Sequence, residues 1–155
     1  MLRVSKFVFS LIACLTLVAC QSQPRQANNP IVAAVAKNET KIVTQYLAEG
    51  GDPNAKNRTG DPLLFVATVA RGGGHDVARL LIKAGADVNG QSSRGRTVLA
   101  SAASWCDIDM VRLLIEAGAQ VNSAGNDDAL PLDTVCKSPA DKRNAVIALL
   151  RAAGG

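Results

Sequence analysis

The 155 residues are 48% apolar but only 3% aromatic, with 17 bases against 13 acids for a formal charge of +4. Arg3 and Lys6 belong to the leader described below, so fifteen bases face thirteen acids in the remainder, and no basic tract with interleaved aromatics is left to grip a phosphate backbone. Such a chain builds its core from small side chains on closely packed helices, and nucleic acid is not an expected partner.

Met1 to Cys20 opens with Arg3 and Lys6, continues through the apolar stretch Phe7 to Val18 and ends in small residues. This is the pattern of a secretory signal, and its apolar run is too short to span a bilayer as a fixed helix. Leu17-Val18-Ala19-Cys20 resembles the lipobox of bacterial lipoproteins, which implies a signal peptide over residues 1–19 and an acylated Cys20. Leu11-Ile12-Ala13-Cys14 fits the same short pattern but would cut the apolar run to about seven residues, so Cys20 is the expected attachment point. An ordinary signal peptide with an incidental Cys is the alternative. Gln21 rather than Asp after the Cys implies, by the same resemblance, sorting to the outer membrane. Gln21 to Asn29 is polar and aperiodic, a flexible tether that reaches about 30 Å if extended.

From Pro30 onward one phrase recurs. Gly50-Gly51-Asp52-Pro53-Asn54 returns as Gly85-Ala86-Asp87-Val88-Asn89 and as Gly118-Ala119-Gln120-Val121-Asn122, with steps of 35 and 33 residues between the Asn positions. A period in that range marks stacked helical repeats. Each phrase follows an apolar helical run (Ile42 to Leu47, Val77 to Ile82, Met110 to Ile115), and a Gly just past such a run takes the left-handed conformation that ends a helix. The units align on the residues that open their first helices: Ile31, Leu64, Leu99 and Leu132. Three residues later come Ala34, Ala67, Ala102 and Val135, which let neighbouring first helices approach, while the second helices carry Leu pairs that end in Leu149-Leu150. The expected fold is all-α, a solenoid of about four helix pairs over residues 30–155, in units of about 30–55, 56–90, 91–123 and 124–155. No unit of this size buries its apolar face alone, so units two and three, with neighbours on both sides, are the energetic centre.

The third unit, Gly95-Arg96-Thr97-Val98-Leu99-Ala100-Ser101-Ala102-Ala103 followed by Met110 to Asn122, resembles an ankyrin repeat. The Thr-Pro-Leu-His signature of that family survives only as Thr97-Val98-Leu99-Ala100 and, more loosely, as Leu130-Pro131-Leu132-Asp133. The resemblance covers residues 30–155 and implies a binding scaffold without naming its partner. Asn29-Pro30 and Asp61-Pro62 each supply a capping side chain and a Pro at the first helical position. Unit two has two extra residues in Arg71 to Asp76. Unit four has three, and its Ser138-Pro139-Ala140-Asp141 reads as a capping box that starts the second helix early. With the sequence closing on Gly154-Gly155, unit four is the expected C-terminal cap.

His75 is the only His and stands beside Asp76, a pairing that would serve as a base and its orienter in an enzyme. No strained-elbow Ser, second His or metal-spaced ligand set accompanies it, so a surface turn residue is the expectation, with Asp107 and Asp109 as helix-start features. No catalytic residue, metal or cofactor is expected. Cys106 and Cys136 are the thiols left after the leader and Cys20, and they fall on neighbouring units across one repeat junction, Cys136 on the first helix of unit four. Export favours a disulfide between them. Two separately buried small side chains are the alternative.

In the ankyrin family the inner, concave surface consists of hairpin tips and the exposed side of the first helices. The resemblance places Val69, Ser104, Trp105 and Lys137 on that surface, with Arg58, Asp61, Arg94, Arg96, Asn126 and Asp127 at the tips. Trp105 is the only Trp, and Trp and Arg are the residues most enriched at interface hot spots. A local cover over the Cys106 turn is its other reading. Together these features lead to a non-enzymatic, lipid-anchored protein-binding module that faces the periplasm and neutralises a protein partner. The most concrete form, implied by the resemblance to periplasmic ankyrin lipoproteins that serve as immunity proteins, is an immunity protein against an envelope-targeting toxin such as a secreted phospholipase. An envelope assembly or stress-protection factor holding an endogenous periplasmic protein is the competing reading.

Overall fold

A computed structural model describes residues 29–70, 73–126 and 128–155. The leader with Cys14 and Cys20, tether residues 21–28, and Arg71, Gly72 and Asp127 lie outside the described residues. Among the described residues seven helices follow in order: α1 (Pro30–Ala36), α2 (Thr40–Ala48), α3 (Leu63–Thr68), α4 (His75–Lys83), α5 (Val98–Ser104), α6 (Ile108–Glu116) and α7 (Ala140–Ala152). The short first helices α1, α3 and α5 neighbour one another in one layer, and α2, α4, α6 and α7 form the second. This is the all-α repeat solenoid expected from the period.

Local chemistry sets the helix ends. Asn29 accepts from the Ile31 N–H at 3.3 Å with Pro30 at the first helical position, and Thr97 accepts from the Ala100 N–H at 3.1 Å to start α5. Asp61 does not cap α3. Pro62 occupies the cap position with no side-chain bond, because the Asp61 carboxylate is drawn into the hairpin tip instead. At the other end of α4 the Ala86 N–H reaches the Leu81 carbonyl at 2.9 Å and the Gly85 N–H reaches Ile82 at 3.0 Å, a closure that needs the φ of 93° at Gly85. The same pair of bonds recurs around Gly118.

Packing follows the alternation of small and large residues. Ala34, Ala67 and Ala102 are fully buried in the first-helix layer, and Val43, Leu81, Leu114 and Leu150 are fully buried on the second helices. A hydroxyl pair, Thr68 with Ser101 at 2.9 Å, joins α3 to α5 inside the stack, and Thr68 also donates to the Phe65 carbonyl. The Asn that closes each recurring phrase laces one unit to the next. Asn54 accepts from the Asp87 N–H at 2.8 Å and donates to the Gly85 carbonyl at 3.2 Å. Asn89 accepts from Gln120 at 2.8 Å, and Asn122 donates to Gly154 at 2.6 Å.

Unit four departs from expectation. Leu132 opens no helix: residues 131–134 make turns, and Cys136 lies in an irregular strap rather than on a helix. Two of the strap's polar groups reach α5, with the Cys136 N–H bonded to the Ala103 carbonyl at 3.2 Å and Thr134 Oγ1 shared between the Ala100 carbonyl at 3.1 Å and its own Pro131 carbonyl at 2.9 Å. An N–H bound to α5 cannot also close a helical turn within the strap. The structure joins Cys106 and Cys136 in a disulfide with α-carbons 5.6 Å apart, which pins the strap to the far side of unit three. Helix α7 does start early, at Ala140, but its cap is Pro139 without a side-chain bond, so the capping box does not form.

Candidate protein-binding face

Among the described residues two hairpin tips, closed by the bridges Lys56–Pro62 and Gln91–Thr97, and a third loop around Asn126 project from the stack, and the first two are built by their own polar side chains. In the first, Asn57 Oδ1 accepts from the N–H groups of Thr59 and Asp61, both at 2.9 Å. Asp61 then receives Thr59 Oγ1 at 2.6 Å, Asn57 Nδ2 at 3.0 Å, the Ser93 N–H at 2.8 Å and Ser93 Oγ at 2.9 Å. Burial alone would raise the Asp61 pKa, but these donors outweigh it and hold the carboxyl at about 2. The tip acid therefore bridges the first and second hairpins. The second and third are joined by the Asn126 N–H to the Gly95 carbonyl at 2.9 Å.

Where the first helices end, α3 and α5 leave large apolar groups in solvent. Val69 is 46% exposed and Trp105, the residue that closes α5, is 66% exposed. The two residues line a groove of about 720 Å³ together with Thr68, Cys106 and Lys142 of α7. Ser104, read as outward-facing, is half-buried and turns its hydroxyl back onto the Ser101 carbonyl at 2.7 Å. Lys137 is exposed on the strap, and Asn126 is exposed on the third tip. Asp127 lies outside the described residues. Arg58, Arg94 and Arg96 are exposed on the first two tips, with Arg94, Arg96 and Asp61 around a second groove of about 470 Å³.

His75 does not use its sequence neighbour Asp76. Its Nε2 lies 2.7 and 2.9 Å from the two carboxylate oxygens of Asp107, one repeat away, at the edge of the Trp105 groove. Asp107 also caps α6 by accepting from the Met110 N–H at 3.0 Å, so the pair ties the first turn of α4 to that of α6. Asp107 thus starts a helix as expected, while its link to His75 escaped the reading of adjacent residues. The 32-residue separation, close to the repeat period, is the signal that would have found it. Among the described residues no group of three or more His, Cys, Asp or Glu gathers as a metal would require.

A stack of helix pairs that presents hairpin tips and open helix ends defines a protein-interaction scaffold. The family model for ankyrin repeats, in three copies, matches residues 6–92 and 30–125, and the chain belongs to the ankyrin-repeat family. Among curated proteins it is similar to alpha-latrocrustotoxin-Lt1a of Latrodectus tredecimguttatus, 38% identical over 109 residues that cover 70% of this chain and 8% of that protein. It is also similar to the mitochondrial disaggregase of Homo sapiens, 35% identical over 79 residues, or 50% of this chain and 11% of the relative. The chain spans about a tenth of the length of these relatives.

Proposed function

We propose that this ankyrin array is a lipid-anchored, periplasm-facing module that binds and neutralises a protein partner, as an immunity protein against an envelope-targeting toxin such as a secreted phospholipase. The exposed indole of Trp105 carries the reading. A large aromatic side chain left 66% exposed beside Val69, at the mouth of a groove in the middle of the stack, suits an anchor for a partner surface. The leader pattern ending in Leu17-Val18-Ala19-Cys20 supports attachment through Cys20, and two or more acyl chains give stable anchoring where one is marginal.

The test is co-purification with a candidate envelope toxin and inhibition of that toxin's lipid hydrolysis by added protein. Trp105→Ala is expected to weaken the complex by about 2 kcal/mol or more, roughly thirtyfold, with unchanged circular dichroism. Undiminished affinity of that variant, in a protein that still folds, removes the Trp105 groove from the interface. Absence of inhibition by a tightly bound array removes the neutralising role and leaves the envelope-factor reading. Cys20→Ala is expected to leave the membrane fraction while Cys14→Ala stays, and the reverse result would move the lipid to Cys14.

A further inference from the structure

The first two hairpin tips are unbalanced in charge. Residues 56–61 and 91–96 contain Lys56, Arg58, Arg94 and Arg96 against a single acid, Asp61, and all four bases are exposed. The Asp61 carboxylate is occupied by Thr59, Asn57 and Ser93. Among the described residues Lys56, Arg58 and Arg94 enter no ion pair. The third tip reverses the sign in sequence, with Asp127 and Asp128.

The first tip stands as a partition between two clefts, with Thr59 lining both. One cleft, of about 400 Å³, has an apolar floor of Val32, Ala33 and Ala36 beneath Lys56 and Arg58. The other, of about 470 Å³, sets Phe65 beneath Arg94 and Arg96. Each therefore pairs an apolar floor with a basic rim, and the arrangement repeats once along the stack. The floors belong to α1 and α3, which are neighbouring helices and so lie about 8 to 10 Å apart. A segment in the polyproline-II form covers that distance in one turn of three residues at roughly 3.1 Å each, and its side chains three residues apart share one face.

We propose that these two tips form a docking track for an acidic protein segment in the polyproline-II form, whose apolar side chains, three residues apart, enter the two clefts while its carboxylates meet the basic rims. The proposal rests on the protein-binding reading above and names the chemistry of the segment that is bound. An anionic lipid surface is the other source of negative charge. The tips carry none of the exposed large apolar side chains that insert into a bilayer, since those are Ile42, Val69 and Trp105. Discrete clefts with apolar floors suit side chains on a peptide instead.

The experiment is fluorescence anisotropy of the full protein with a dye-labelled peptide, Asp-Leu-Glu-Asp-Leu-Glu, alongside versions carrying Ser in place of Leu or Lys in place of the acids. The acidic Leu peptide is expected to bind, more weakly as salt rises, while both altered peptides lose at least tenfold. Arg58→Glu with Arg94→Glu is expected to lose at least tenfold as well, with an unchanged thermal melt. Equal binding of the Leu and Ser peptides, or no effect of the double charge reversal, overturns the track. So does displacement of the peptide by phosphatidylglycerol vesicles acting through the same two arginines. A natural partner that needs Trp105 but tolerates the double reversal leaves the binding module standing without the track. Peptide binding in a protein that inhibits no toxin leaves the track and removes the neutralising role.

Discussion

Removal of the Cys106–Cys136 bond is the sharpest test of how unit four is held. The cysteines are 30 residues apart, and closing a loop of that length in the unfolded chain corresponds to about 3.6 kcal/mol at 25 °C in the chain-entropy treatment. That is a large share of the roughly 5 to 15 kcal/mol that stabilises a typical domain. Cys106→Ser with Cys136→Ser is expected to lower the melting temperature by about 14 °C, at about 4 °C per kcal/mol for a domain of this size. A second effect is superimposed. Cys106 adopts φ 51°, at the inter-helix turn where unit one has Asn38 at 56° and unit two has Gly73 at 79°. A residue with a β-carbon is disfavoured there by about 1 to 2 kcal/mol, so Cys106→Gly with Cys136→Ser is expected to exceed the Ser pair in stability by about 1 kcal/mol. Guanidinium unfolding followed by circular dichroism measures both differences. A Ser pair within about 1 kcal/mol of the oxidised protein would refute the claim that the bond holds the strap. A Gly variant no better than Ser would refute the left-handed turn.

Truncation of the fully buried Leu81 or Leu114 to Ala is expected to cost about 2 to 5 kcal/mol, and a thermal shift near zero for both would displace the core assignment. Asn89→Ala removes the bond to the Gln120 N–H and is expected to cost about 1 kcal/mol by denaturant titration, with no loss if water replaces the amide fully. Asp61 is held at about 2, below the ordinary carboxylate value, so its stabilisation is complete above that ordinary value and fades as pH falls toward 2. Asp61→Asn is therefore expected to flatten the acid limb of a stability-versus-pH curve between about 4 and 2. An acid limb of unchanged slope would show that the tip hydrogen bonds do not depend on the charge.

The repeat phrase made the helix ends legible because Gly85 and Gly118 are required by the geometry of the closure and their spacing is fixed by the stack. The Asn residues in the same phrase were counted as markers of the period, yet they are also the laces between units, and nothing local in the chain distinguishes the two roles. Asp61-Pro62 looked like a helix start because adjacent residues suggested one. The carboxylate is claimed instead by Ser93, one repeat later. Unit four was misread for a related reason: Leu132 and Val135 have helical spacing, but the Cys136 N–H is taken by the Ala103 carbonyl of α5. Trp105 was legible as a candidate anchor because a side chain of its size at that alignment position has no place in a core of Ala and Leu. The two clefts and the His75–Asp107 link were not, since each joins residues from different units.

The strap that replaces a helix in unit four also bears on how such an array can change in length. An interior unit carries both halves of the lacing, an Asn to give and a phrase to receive, so a duplicated copy placed among units two and three inherits a complete set of neighbours. The far edge offers no such welcome. A unit inserted after α6 would bring a helix into the space the strap occupies against α5 and would separate Cys106 from its partner. Gene duplication can thus lengthen the stack from within, whereas growth at the strap must first abandon the disulfide.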